Sequence, residues 1–218
     1  IIRWNGKDWR LLDLYIAGQT PRAWFPDVVD YCRRRKIVWF SSVFSVEDVD
    51  FLEELDCPSY KVSSFELANT PLIEKAAATG KPLIISTGMA GDYEIRDALR
   101  ATDGYLNVAL LHCVSSYPCE AKDANLLRMR NFAPKFNCAA VGFSDHTLGS
   151  ECAIAAVALG ASIIEKHLTL SRNDGGLDDF FATEPEEFKA LVTGCKNAWA
   201  ACQLSGAVEP YKDLRGVA

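Results

Sequence analysis

Small clusters of polar residues recur along this chain, and their types suit anion-binding, acid–base and metal chemistry. They are Ser41-Ser42, Ser64 with Glu66, Ser86-Thr87-Gly88, Ser115 to Tyr117, Ser144-Asp145-His146, and His167 with Thr169. Histidine is the commonest ligand for divalent transition metals, so His146 and His167 form a candidate metal pair. Asp145 and Asp178 are the carboxylates that could stand beside them. Lys61 lies between Tyr60 and Val62 in an apolar stretch, where a lysine is costly unless an anion matches it. With Ser64, Ser86 and Ser115 it suggests a pocket for a phosphate or carboxylate. Plainer readings compete at other positions. His112, inside an apolar run before Cys113, reads as a packing histidine. Lys166 reads as a partner of its neighbour Glu165, and Arg33-Arg34-Arg35-Lys36 as a solvated helix end.

These clusters follow short apolar, β-branched runs that read as strands: Ile37–Phe40, Tyr60–Ser63, Pro82–Ser86, Val108–Cys113, Ala139–Phe143 and Ser162–Lys166. Helical patterns begin near Pro21, Val46, Thr70, Tyr93, Asp123, Ser150 and Glu184. Ser45 before Val46-Glu47-Asp48 is a cap with acids in the first turn. Thr70-Pro71 puts proline at a helix start, and Thr183 with Glu186 fits a capping box. Gly80 closes one helix before the next strand. Strands separated by helices must run parallel, with crossovers between them. Two α/β architectures fit: an open doubly wound sheet or a (β/α) barrel. Both keep their chemistry at the C-terminal strand ends, where the polar clusters fall. No G-x-G-x-x-G or Walker loop supports a nucleotide site.

The 218 residues include 23 basic and 29 acidic side chains, a net charge of −6. That balance argues against nucleic acid as a partner. The 49% hydrophobic content supports a real core rather than disorder. The longest apolar run, Cys152 to Ile164, is too short for a membrane span and is broken by Gly160. Eight cysteines with no C-x-x-C pair read as reduced thiols in a cytoplasmic protein.

The ordered motifs YKVSSFE (60–66), GKPLIISTGMA (80–90), LLHCVSSYP (110–118), DANL (123–126), VGFSDHTLG (141–149), VALGASIIEKHLTL (157–170) and GGLDDFF (175–181) resemble the sialic acid synthase family. DLY (13–15), TPRAW (20–24), FSSVF (40–44), CPSYKVSSFE (57–66) and DDFFATEPEEF (178–188) are most similar to its pseudaminic acid synthase branch. N-acetylneuraminate and legionaminate synthases are the near alternatives. The resemblance implies a (β/α)8 TIM-barrel type fold. It implies condensation of phosphoenolpyruvate with an N-acylated amino sugar, with release of phosphate. It further implies a Mn2+ or Mg2+ cofactor and a homodimer in the full-length protein. By resemblance, Lys61, Ser64, Ser86, Ser115 and Ser144 hold the phosphate and carboxylate of phosphoenolpyruvate. His146 and His167 are the metal ligands, and Glu66, Tyr117 and Asp178 face the sugar or the reacting centre. Glu66, His146 and Asp178 are the residues expected to take part in the chemistry.

Several positions depart from the family. Ala182 stands where the family usually has Ser, Val43 where it has Pro, and Arg22-Ala23-Trp24-Phe25 where it has Trp-Glu-Trp-His. Residues 1–218 are expected to form one partial TIM-barrel synthase domain holding about six strand–helix units, strands 3–8 of the family barrel. The family's first two strands and its antifreeze-like domain have no counterpart in the motifs. Such barrels take about 250 residues, so the chain is expected to be part of a longer protein. Two other readings are a catalytically inactive sugar- or phosphate-binding homologue, and an aldolase acting through a Schiff base on Lys61.

Overall fold

Extended runs and capped helices alternate along the chain. A computed structural model describes residues 1–104 and 107–203. An antiparallel hairpin, β1 (Ile2–Trp4) and β2 (Lys7–Trp9), leads into α1 (Leu11–Gly18) and α2 (Phe25–Arg35). There follow β3 (Ser41–Val43), α3 (Val46–Glu53), β4 (Tyr60–Val62), α4 (Thr70–Ala78), β5 (Leu83–Ser86), α5 (Asp92–Arg100) and β6 (Val108–His112). Last come α6 (Phe132–Phe136), β7 (Ala140–Asp145), α7 (Glu151–Ala158), β8 (Ile163–Lys166) and α8 (Pro185–Ala201).

Strands β3 to β8 form one sheet in sequence order, every pair parallel. This is the half-barrel expected of six consecutive strand–helix units, with helices on one face. Residues paired across parallel strands point to the same face, so the register sorts the side chains. Tyr60, Val62, Leu83, Ile85, Val108 and Leu110 point to the helices and are fully or almost fully buried. They pack with Val49 and Leu52 of α3, Leu72 and Ile73 of α4, Ile95 of α5, and Phe132 and Phe136 of α6. Each such side chain contributes about 1.5–3 kcal/mol through burial, and truncating Ile85 to alanine would cost about 2–5 kcal/mol. The opposite, concave face carries Ser42, Lys61, Ile84, Ser86, Leu111, Gly142, Ser144 and Glu165.

Local chemistry explains the element ends. The Ser45 hydroxyl accepts from the Asp48 N–H, and the Asp48 carboxylate accepts from the Ser45 N–H, a reciprocal cap that starts α3. The α8 capping box lies one residue later than expected. Pro185 takes the first helical position, so Glu184 is the cap and its N–H donates to Glu187. Asn69 rather than Thr70 caps α4. The helix expected near Asp123 is instead two short 3-10 turns followed by α6, with Asn125 in the left-handed region between the turns.

The first sheet strand is Ser41–Val43, not Ile37–Phe40. Extending the observed register would set Trp39 opposite Pro58, which has no N–H to complete the ladder. Ile37, Val38 and Phe40 are exposed accordingly. The basic run Arg33–Lys36 ends α2 at the surface, as expected.

Candidate active site

Parity along the strands decides which polar residues meet. Lys61 is buried at the centre of β4 and lies 3.4 Å from Glu165 Oε2 across the concave face. The other Glu165 oxygen accepts from Ser144 Oγ at 2.6 Å. Ser144 Oγ in turn lies 3.4 Å from His146 Nε2. A continuous polar path therefore runs from Lys61 through Glu165 and Ser144 to His146.

Lys166 points the other way. Its ammonium donates to Asp145 Oδ2 at 2.8 Å, with both side chains almost wholly buried on the helix-facing side. Asp145 Oδ1 accepts from the backbone N–H and hydroxyl of Thr147. Two expectations are thereby corrected: Glu165 does not pair with Lys166, and Asp145 does not stand beside the histidines. In both cases adjacent residues on one strand point to opposite faces.

The two histidines do converge. Their ring centroids are 5.5 Å apart. His146 Nδ1 is 2.8 Å from the Val114 carbonyl, which can only accept, so Nδ1 carries the proton and Nε2 keeps a lone pair. His167 Nδ1 lies 3.2 Å from Asp178 Oδ2, which leaves its Nε2 outward as well. A carbonyl or carboxylate behind each ring is the outer-shell arrangement of metal-binding histidines. Burial lowers the His146 pKa, with the nearby His167 adding to the effect, and keeps the ring neutral. Among the described residues, no group of three or more His, Cys, Asp or Glu side chains is placed to hold a metal ion. The donors thus fit two positions of a coordination shell.

Aromatic rings wall this end of the site. Tyr117 lies 4.2 Å from His146 between ring centroids, and Phe181 lies 4.8 Å from His167. Trp4 of the hairpin packs 5.3 Å from Tyr117 and donates its indole N–H to the Leu177 carbonyl. Burial pushes the Tyr117 phenol up to about 12, so it remains a neutral hydroxyl.

At the other end, three side chains crowd a backbone turn. A Cβ on Gly88 would lie 2.4 Å from Ser115 Oγ, 2.8 Å from Cys113 Sγ and 2.9 Å from Ser64 Oγ. Only glycine leaves that space open. Gly88 N–H donates to Ser64 Oγ at 3.0 Å. The buried Ser86 and Ser115 hydroxyls lack well-formed hydrogen bonds, although Ser115 lies close enough to Tyr117 to oppose its upward shift. Unpaired buried hydroxyls near a buried lysine are donors awaiting an anion. Burial raises the Cys113 thiol, which makes it an inert neighbour rather than a nucleophile.

Glu66 borders the β3 side of the concave face, near Ser42. It accepts from Ser63 Oγ and lines a cavity of about 720 Å³ with Ser41, Ser42, Tyr15 and Arg22, beside the β3 edge. His112 is a packing residue, as expected: it stacks on Phe143, meets Phe132 edge-on and bonds the Ala124 carbonyl through Nε2. Lys61, Ser64, Ser86, Ser115, Tyr117, Ser144, His146, His167 and Asp178 all come to one face. Sequence reasoning missed Glu165 and the aromatic wall of Trp4 and Phe181. Strand alternation would have marked Glu165, because it shares parity with His167.

The fold and this concave cluster define a TIM-barrel-like α/β half-barrel with a buried lysine, buried serine hydroxyls and a histidine pair at its C-terminal strand ends. The chain belongs to the NeuB family, whose model matches residues 3–206. It is 41% identical over 191 residues to the pseudaminic acid synthase of Helicobacter pylori, covering 86% of this chain and 56% of that protein. It is 40% identical over 171 residues to the N,N'-diacetyllegionaminic acid synthase of Campylobacter jejuni, covering 77% and 51%. The N-acetylneuraminic acid synthetase of Leptospira borgpetersenii, solved in complex with citrate, superposes with a TM-score of 0.83 at 34% identity, covering 88% of this chain and 67% of that one. The resemblance read from the motifs is therefore confirmed at the level of family and fold. The chain spans about half the length of the curated relatives it matches. Among the described residues, no helix is long and apolar enough to cross a membrane.

Proposed function

We propose that this chain carries the barrel site of a nonulosonic acid synthase that condenses phosphoenolpyruvate with an N-acylated amino sugar and releases phosphate. The product favoured is pseudaminic acid, on the similarity to the Helicobacter pylori enzyme. The observation that carries the reading is one concave face that joins the buried Lys61 and buried serine hydroxyls to a pair of converging imidazoles.

Lys61 and the Ser64, Ser86 and Ser115 hydroxyls would bind the phosphate and carboxylate of phosphoenolpyruvate through charge-assisted hydrogen bonds. Tyr117 and Asp178 would orient the open-chain sugar beside the histidines. Phe181 and Trp4 would add apolar contact surface beside the substrate at that end. Nε2 of His146 and of His167 would hold a divalent cation, Mn2+ or Mg2+, which when bound supplies Lewis-acid polarisation of a carbonyl oxygen. The enol carbon forms the new carbon–carbon bond to the sugar aldehyde. Water then adds at the phosphate-bearing carbon, and phosphate departs by carbon–oxygen cleavage. Glu66, beside the adjoining cavity, is the carboxylate proposed to face the reacting centre. The engagement of Lys61 by Glu165 disfavours a Schiff-base role for that lysine. The same reading includes a homodimer and a cytoplasmic setting, where phosphoenolpyruvate is made.

A Michaelis-constant comparison on Lys61→Ala tests the anion role. Removing the charge paired with a buried anion costs about 2–5 kcal/mol. The Michaelis constant for phosphoenolpyruvate should rise far more than that for the sugar. Equal effects on both would contradict the assignment.

A further inference from the structure

Lys61 is already occupied by a carboxylate. Glu165 Oε2 stands 3.4 Å from its ammonium, on the concave face where a substrate anion would bind. Glu165 is fixed by Ser144 Oγ at 2.6 Å, and its side chain is one-third exposed while that of Lys61 is almost fully buried. The lysine is thus held in place by an internal anion that can be reached from solvent.

We propose that Glu165 is a specificity-determining residue: its carboxylate guards Lys61 and reserves the pocket for a dianionic phosphate group. This rests on the reading of Lys61 as the anion site. A monoanion such as acetate or chloride offers the ammonium no more charge than Glu165 does, and it must also approach a fixed negative group. A phosphate dianion feels the attraction of Lys61 and the repulsion of Glu165 both doubled, so its advantage lies in its three acceptor oxygens, which can also take the buried hydroxyls of Ser86 and Ser115. Discrimination then comes from a repulsive element built into the site rather than from tighter attraction alone. Ser144, which bonds Glu165 and lies next to His146, keeps the guard in one position.

The test is calorimetric titration of the full chain with inorganic phosphate and with acetate. Glu165→Gln keeps the shape and the contact with Ser144 but removes the charge. It should bind phosphate about tenfold more tightly than the parent and should now bind acetate, which the parent excludes. Glu165→Ala, at this partly exposed position, should show the same gain. Phosphate affinity unchanged or reduced in both variants, or acetate still excluded, would overturn the guard. Lys61→Met separates the two readings: it should abolish phosphate binding whatever Glu165 does. Wild-type affinity in Lys61→Met would overturn the anion site itself.

Discussion

Glu165 and Lys166 are neighbours on one strand, yet each pairs with a residue on the opposite side of the sheet. Glu165 reaches Lys61 at 3.4 Å on the concave face, and Lys166 reaches Asp145 at 2.8 Å on the helix-facing side. The strand pleat divides four charges into a half-open pair within the site and a sealed pair behind it. The two pairs should therefore respond differently to mutation.

Removing one partner from the sealed pair leaves an unmatched buried charge. Lys166→Met should lower unfolding free energy by about 3–5 kcal/mol, read from urea denaturation. A loss below about 1 kcal/mol, the range of an exposed pair, would contradict the burial of Asp145.

Filling the space above Gly88 should close the proposed anion cradle. A methyl there meets Ser115, Cys113 and Ser64 at 2.9 Å or less. Overpacking of this kind costs about 1–3 kcal/mol. Phosphate affinity of Gly88→Ala should fall about tenfold, measured by calorimetry. Unchanged affinity would show that the anion binds elsewhere.

The histidine pair makes a separate prediction. His146→Ala should lower Mn2+ affinity at least about tenfold, since it removes one of the two donors proposed among the described residues. Electron paramagnetic resonance of free Mn2+ reports this directly. Unchanged affinity would remove His146 from the ligand set.

The pH dependence of stability follows from the buried His112. Burial lowers its pKa below the ordinary histidine value, because charging the ring would strip it of solvent. As pH falls below about 6.5, the unfolded chain takes up a proton that the folded chain refuses. Stability is therefore full above that value and falls as pH drops toward the lowered folded pKa. His146 is shifted in the same direction, first by burial. The urea midpoint should drop on acidification, and the drop should shrink in His112→Gln. An equal drop in that variant would contradict the assignment to His112.

Much of this architecture is legible in the sequence. Five of the six expected strands overlap observed ones, because β-branched runs bounded by caps and Gly80 leave little freedom. The concave donors were legible as strand-end hydroxyls, histidines and a misplaced lysine. Three features were not. Asp145 and Glu165 were read by proximity in sequence, whereas the period of two sets which face they join. The Ile37–Phe40 run looked like a strand by composition, but pairing depends on the partner, and Pro58 would stand opposite. The hairpin over residues 2–9 is absent from the sequence reading, although Asn5-Gly6, both at positive φ, is a two-residue turn suited to tight hairpins. Its consequence, Trp4 beside Tyr117, is a long-range contact that no local pattern records.

The most direct test of the account is a phosphate-release assay on the full-length protein. It predicts release only when phosphoenolpyruvate, an N-acylated amino sugar and Mn2+ are present together, and loss of release when a chelator is added. A protein that binds Mn2+ and phosphoenolpyruvate yet releases no phosphate with any N-acylated amino sugar would contradict it.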